Sequence, residues 1–126
     1  MKIEYRDGLL FTSIEITYKG KSKVIDNIVV DTGAENSLIS QEEVDEIGIR
    51  ISKEDEIVTS YGIGGTGHAF IKTVDEVKIS GFKLNNFSID FTVLPYEDIN
   101  GLLGLDILIE GGFIIDLDML KIHRKD

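Results

Sequence analysis

The chain has 126 residues, of which 42% are hydrophobic, so it is long enough for one compact core and too short for two ordinary domains. Its formal net charge is -10 at pH 7 and it has no basic cluster, which excludes nucleic acid as a partner. An acidic, well-solvated surface explains this charge better than attraction of basic substrates does. Because cysteine is absent, disulfides and thiol chemistry are also excluded.

The N-terminus is charged from its first residues, and no apolar run reaches the length of a signal segment or a membrane span. We therefore expect a cytoplasmic protein that does not associate with membranes. No repeat, linker or low-complexity stretch interrupts the sequence, so residues 1–126 are predicted to form a single domain, and the initiating Met1 favours an independent product.

Alternation of apolar and polar residues dominates the chain and predicts strands. The alternating segments are 9–11, 14–18, 28–30, 57–59, 70–74, 77–79, 87–93, 113–117 and 120–122. Two short helices are predicted between them, one from a Ser40–Glu43 capping box to just before Gly48, the other from near Gly104 to Gly111. The fold class is therefore all-β with two short helices, and a small closed barrel is the arrangement such a chain favours.

Asp31-Thr32-Gly33 follows directly on the apolar run 28–30. An aspartate at the end of an apolar strand is costly to ionise unless hydrogen bonds or another charge compensate for it. The Thr32 hydroxyl and the flexible Gly33 backbone are suited to supply such contacts. The triplet by itself is also compatible with an ordinary turn after a strand.

A glycine-rich stretch, Gly62–Gly67, forms the second notable feature and also matches the dinucleotide fingerprint G-x-G-x-x-G. That fingerprint requires a helix after the glycines, whereas residues 68–74 are rich in β-branched and aromatic side chains and predict a strand. A hairpin tip is therefore favoured, and a dinucleotide site or a merely mobile loop remain as alternatives.

The third feature is the apolar segment Leu102-Leu103-Gly104-Leu105-Asp106. In this order, the three features resemble the retroviral-type aspartic proteases, the retropepsins, over roughly residues 20 to 122. The late motif Leu-Gly-x-Asp is similar to that of the cellular and retroelement-like branch, since viral enzymes carry Gly-Arg-Asn. The resemblance implies an acid-protease barrel in which the glycine-rich hairpin is a flap over the active site.

The resemblance also implies an aspartic endopeptidase with Asp31, Thr32 and Gly33 as its catalytic triplet. Hydrolysis of a peptide bond by this route needs two carboxylates, one ionised and one protonated, around a water molecule. The chain has one Asp-Thr-Gly, so the second carboxylate must come from another copy in a symmetric homodimer. The terminal segments 113–117 and 120–123 are the candidate dimer strands, with 1–5 as a further candidate.

The predicted partner is a peptide or protein substrate in extended form, and the resemblance implies substrate contacts from both sides of the cleft. No cofactor or metal is expected, because the two histidines, His68 and His123, have no zinc-site spacing. Ala34 brings no hydroxyl to the carboxylates, which predicts activity nearer neutral pH. The predicted substrate-binding residues are Ala34, Glu35, Ile63, Gly64, Gly65 and Leu103.

Two residues of the late motif have other expected roles. Asp106 is predicted to cap the short helix or brace a neighbouring loop rather than to act in catalysis. Leu105 stands where viral enzymes place an arginine, so Glu35 has no obvious cationic partner. Because a fold does not guarantee its chemistry, a dimeric peptide-binding module that does not cleave is the alternative function.

Overall fold

The computed structural model describes residues 1–62 and 65–124, and most of these residues lie in β-strands. The strands are β1 (Glu4–Arg6), β2 (Leu9–Tyr18), β3 (Lys21–Val30), β4 (Leu38–Ser40), β5 (Ile57–Gly62), β6 (Gly65–Ile79), β7 (Phe82–Thr92), β8 (Gly101–Leu103), β9 (Phe113–Asp116) and β10 (Lys121–Arg124). The helices are α1 (Gln41–Val44), which continues into a single 3-10 turn (Asp45–Ile47), and α2 (Leu105–Glu110). The predicted fold class, mostly β with two short helices, is confirmed.

Apolar residues at every second position place one face of each long strand in the core. In β2 the buried residues Ile14, Ile16 and Tyr18 alternate with partly exposed polar neighbours. In β7, Ile89 and Phe91 are almost completely buried in the same way. This periodicity fixes which face of each strand packs inward, because a shift by one residue would expose the whole apolar set.

The pairings between strands close into a ring. Eight strands are paired in the order β1-β2-β3-β8-β4-β7-β6-β5, and β2 pairs with β6 as well. The strands from β2 to β6 in that order therefore form a ring of pairings around the core. Of these pairings, β3–β8 and β4–β7 are parallel.

The predicted first helix is confirmed, but the predicted capping box is wrong. Ser40 makes no side-chain hydrogen bond to the helix; it ends β4, and its backbone N–H donates to the Asn100 carbonyl. Glu43 does not reach back either, because its carboxylate lies 3.6 Å from the Lys23 ammonium of β3. The Glu43 side chain therefore contacts β3 instead of the N-terminus of its own helix.

The two ends of the chain lie together. β9 and β10 form an antiparallel pair, and Lys2 bridges to Lys121 on the other side of β10. The Ile122 N–H donates to the Met1 carbonyl, and the Ile3 N–H donates to the Leu120 carbonyl. Among the described residues, no helix is long and apolar enough to cross a membrane.

Candidate active site

Strand β8 organises the loop that carries Asp31. β8 lies between β3, which leads into the loop, and β4, which leaves it. Because β3 and β8 are parallel, Val30 and its partner Leu103 end at the same edge of the sheet. The loop of residues 31–37 therefore crosses the carboxyl end of β8, where the late Leu-Gly-x-Asp motif emerges.

Backbone hydrogen bonds hold Asp31 at the start of this loop. Its N–H donates to the Leu103 carbonyl at 2.9 Å, and its own carbonyl accepts the Ala34 N–H at 3.1 Å. Its carboxylate oxygen Oδ1 accepts the Gly33 N–H at 2.9 Å. An added Cβ at Gly33 would lie 3.2 Å from that oxygen, so glycine gives the closest approach of backbone to carboxylate.

The start of α2 braces the same loop from the other side. The Leu105 N–H donates to the Ala34 carbonyl at 2.8 Å, and the Asp106 N–H donates to the Glu35 carbonyl at 3.1 Å. The backbone of Gly104 is so close that an added Cβ would lie 2.8 Å from the Ala34 oxygen. A glycine is therefore required where the two segments meet.

Ser37 and Asp106 form a second brace at the far end of the loop. The Asp106 carboxylate accepts the Ser37 N–H at 3.0 Å and the Ser37 hydroxyl at 2.7 Å. The buried Ser37 Oγ in turn accepts the Gly104 N–H at 2.9 Å. The prediction that Asp106 braces a neighbouring loop is thus confirmed; the N-terminus of α2 at Gly104 has no side-chain cap.

The predicted catalytic triplet and its neighbours lie together at the surface of this loop. Thr32, Gly33 and Glu35 are exposed, and Asp31 and Ala34 are partly exposed. Leu103 differs, because its side chain is completely buried and its contact with the loop is through its carbonyl. The substrate contact predicted for Leu103 stays a prediction.

The glycine-rich stretch lies in a pair of antiparallel strands. β5 and β6 are paired from Ile57 opposite Phe70 to Gly62 opposite Gly65. The predicted substrate contacts Ile63 and Gly64 lie outside the described residues. Because a 15-residue strand follows the glycines instead of a helix, the dinucleotide alternative is wrong.

A groove runs beside the Asp31 loop and includes residues from four strands. It is lined by Gly33, Ala34, Glu35 and Asn36 of the loop, with Leu38, Thr59, Asp90 and Leu102. Burial raises the pKa of the Asp90 carboxyl, and the nearby carboxylates of Asp106 and Glu56 raise that pKa further. The groove thus places an ionisable group next to the candidate catalytic loop.

Sequence reasoning missed Ser37 and Asp90. Ser37 precedes the buried segment 38–40, and a polar residue at such a position is one signal of a local brace. Asp90 lies between the core residues Ile89 and Phe91, so the alternation places it on the opposite face of β7. Nothing in the sequence shows that this face borders a groove.

No cluster of three or more His, Cys, Asp or Glu side chains suited to a metal ion occurs in residues 1–62 and 65–124. The Asp106 carboxylate is held by the N–H and the hydroxyl of Ser37.

Comparison with known proteins identifies the family to which the chain belongs. Residues 14–107 match the family model described as aspartyl protease. The chain belongs to the aspartyl protease family. The match includes the Asp31 triplet, the paired strands β5 and β6 and the late motif through Asp106.

Solved structures show the fold of this aspartyl protease family member. The crystal structure of a retropepsin-like aspartic protease from Rickettsia conorii superposes with a TM-score of 0.70. The two chains are 22% identical, and the match covers 98% of this chain and 88% of that one. No curated protein sequence matches significantly. The fold is therefore retropepsin-like, as the sequence motifs predict.

Proposed function

We propose that the chain is an aspartic endopeptidase that acts as a homodimer. The observation that carries the proposal is the position of Asp31. Its carboxylate lies at the surface of a loop fixed by Leu103, by Gly33 and by the start of α2. Family membership supports peptidase activity, and residues 1–126 form one such catalytic domain in this proposal.

The proposed reaction uses Asp31 from each of two copies. One carboxylate is ionised and takes a proton from a water molecule as the water oxygen attacks the scissile carbonyl carbon. The other is protonated and donates its proton to the carbonyl oxygen. As the tetrahedral intermediate collapses, the C–N bond breaks, the carboxyl group that took the water proton protonates the leaving amine, and the other carboxylate takes a hydroxyl proton from the intermediate, which restores the pair.

Two copies are required because one carboxylate cannot be proton donor and proton acceptor at the same time. Two like charges a few ångströms apart do not ionise together easily, so the pair shares one proton. A two-fold axis beside the loop would place the two Asp31 side chains next to each other. In this arrangement the Thr32 hydroxyls of the two copies brace the paired loops.

The segment around β9 supports the dimer. Among the described residues, β9 pairs only with β10, so its other edge is open to a strand from a second copy. Four large apolar side chains in and after β9 are 37% to 66% exposed, which is typical of a surface that a partner covers. They are Ile114, Leu117, Met119 and Leu120.

The substrate in this proposal is a peptide in extended form. It lies over Gly33, Ala34 and Glu35, and the tip of the β5–β6 hairpin, including Gly65, closes on it as a flap. Thr59 of β5 lines the groove together with Gly33, which supports placing this hairpin next to the catalytic loop. Closure would exclude water from the carboxylate pair.

The experiment is to detect new peptide ends by mass spectrometry after incubating a digest of denatured proteins with the protein, from acid to neutral pH. The control is Asp31→Asn, which keeps the size of the side chain and removes its acid–base chemistry. Cleavage that disappears in the variant supports the endopeptidase. Equal results for both proteins, with the dimer verified by analytical ultracentrifugation, would contradict it and favour a peptide-binding module.

A further inference from the structure

The groove beside the Asp31 loop contains a partly buried carboxylate that the proposed reaction does not use. Asp90 lies on β7, with Leu38 of β4 as its parallel partner and Ile71 of β6 as its antiparallel partner. Together with Gly33, its side chain lines the groove. Any substrate side chain that enters the groove next to the catalytic loop will therefore meet this carboxylate.

The described lining of the groove is acidic and includes no basic side chain. Among the described residues that line it, Glu35 and Asp90 are acidic and none is Lys, Arg or His. Leu38 and Leu102 supply an apolar wall. A groove with an apolar wall and a carboxylate suits a long basic side chain, whose methylene groups pack while its charged end reaches the acid.

Asp90 also lacks a partner among the residues that the structure describes. In the described part of the chain, no hydrogen bond or ion pair is made to its carboxylate, whereas Asp106 is held by Ser37 and Asp55 lies 3.0 Å from the Lys72 ammonium. Burial and the carboxylates of Asp106 and Glu56 make the ionised form of Asp90 costly, as its raised pKa shows. A bound cation would relieve that cost.

We infer that Asp90 makes this groove a subsite for a lysine or arginine side chain of the peptide substrate. The inference rests on the proposed endopeptidase function and names its substrate class. Because the proposed dimer is symmetric, the subsite occurs twice, once on each side of the scissile bond. Basic residues are thus favoured at positions flanking the bond on both sides.

The test compares cleavage of peptide libraries by the wild type, Asp90→Asn and Asp90→Glu. Matched peptides with Lys, Arg or Met at each position near the bond give the ratio of kcat/KM for basic over neutral side chains. We expect this ratio to be at least about 10 in the wild type, because one charge-assisted hydrogen bond strengthens binding by about that factor. It should fall close to one in Asp90→Asn and be largely kept in Asp90→Glu.

The matched control is Asp26→Asn, which removes an exposed carboxylate of β3 that does not line the groove. It should keep the basic preference. Asp31-dependent cleavage with no basic preference, or with a preference that Asp90→Asn keeps, would overturn the inference and leave the endopeptidase standing. Absence of any Asp31-dependent cleavage would overturn the proposed function, and the subsite with it.

Discussion

Gly104 lies so close to the Asp31 loop that a side chain there has no room. A Cβ there would lie 2.8 Å from the Ala34 oxygen and 2.8 Å from the Asn36 carbonyl carbon, which are backbone atoms of the loop. Backbone atoms cannot turn aside as a flexible side chain can. The loop and the start of α2 would have to separate, with loss of their mutual hydrogen bonds.

We therefore expect Gly104→Ala to lower the free energy of unfolding by roughly 1–3 kcal/mol, the usual cost of overpacking, and to reduce peptide cleavage. Denaturant unfolding measures the first effect. The control is Gly67→Ala, because a Cβ at Gly67 meets nothing within 4 Å. If both variants were equally stable, the close packing at Gly104 would not be a constraint.

Asp90 gives a pH-dependent prediction for stability. Its pKa is raised in the folded protein, chiefly by burial, so the folded state keeps a proton that the unfolded chain has already released. The free energy of unfolding therefore decreases as the pH rises from 3.8, the ordinary pKa of an aspartate, through the raised pKa of Asp90 in the folded protein. Above the raised pKa the whole cost of the buried charge is present.

Asp90→Asn removes that cost, so the variant should be more stable than the wild type at neutral pH. The difference should shrink as the pH is lowered to about 3, where both states of the wild type are protonated. Denaturant unfolding at several pH values measures this, with Asp26→Asn as the exposed control. A stability difference that does not change with pH would contradict the burial of Asp90.

At the scale of elements, the side chains of Ser37, the last residue of the loop before β4, and Asp106 of α2 join the loop to the helix. Ser37 is 1% exposed, and its hydroxyl donates to Asp106 while accepting the Gly104 N–H. Removing this hydroxyl leaves the Gly104 N–H without its acceptor and takes one of two donors from Asp106 Oδ1, which also accepts the Ile107 N–H at 2.8 Å. The brace is thus a network in which each member needs the others.

Ser37→Ala should cost roughly 1–3 kcal/mol of unfolding free energy, as expected for buried groups left unpaired. Asp106→Asn should cost a similar amount, and the double variant should cost less than the sum, because both changes break the same network. Ser22→Ala is the control, since its hydroxyl bonds to Thr17 at an exposed site. Strictly additive effects would show that Ser37 and Asp106 act independently.

The elements were predictable from the sequence where a local pattern determines them. Alternation located the long strands, and Gly48 and Gly111 mark where the helical segments end. The capping box failed because Lys23, far away in the sequence, attracts Glu43. The position of Asp90 in a groove could not be predicted, because the groove forms only when β7 pairs with β4 and β6.

At the scale of the whole molecule, the open edge of β9 predicts how two copies meet. Ile114 lies on this strand and is 42% exposed. A charge at Ile114 would be buried without a partner if β9 lies in the dimer interface. Val24 on β3 is 56% exposed and offers a matched position away from β9.

We expect Ile114→Glu to raise the dimer dissociation constant by at least about tenfold, as for a residue in the centre of an interface. Val24→Glu should leave it nearly unchanged. Sedimentation over a range of protein concentrations measures both constants, and the specific activity should fall at the concentrations where the dimer dissociates. Equal dimerisation of both variants would place the interface elsewhere.

The central claim is that one active site uses Asp31 from two copies, and a mixing experiment tests it directly. A fixed amount of wild type is equilibrated with increasing amounts of Asp31→Asn, well above the dimer dissociation constant, and cleavage of one peptide is followed. Mixed dimers hold a single Asp31, so an equal amount of variant should reduce activity to about half, and a ninefold excess to about one tenth. Activity that stays constant as the variant is added would contradict a shared site.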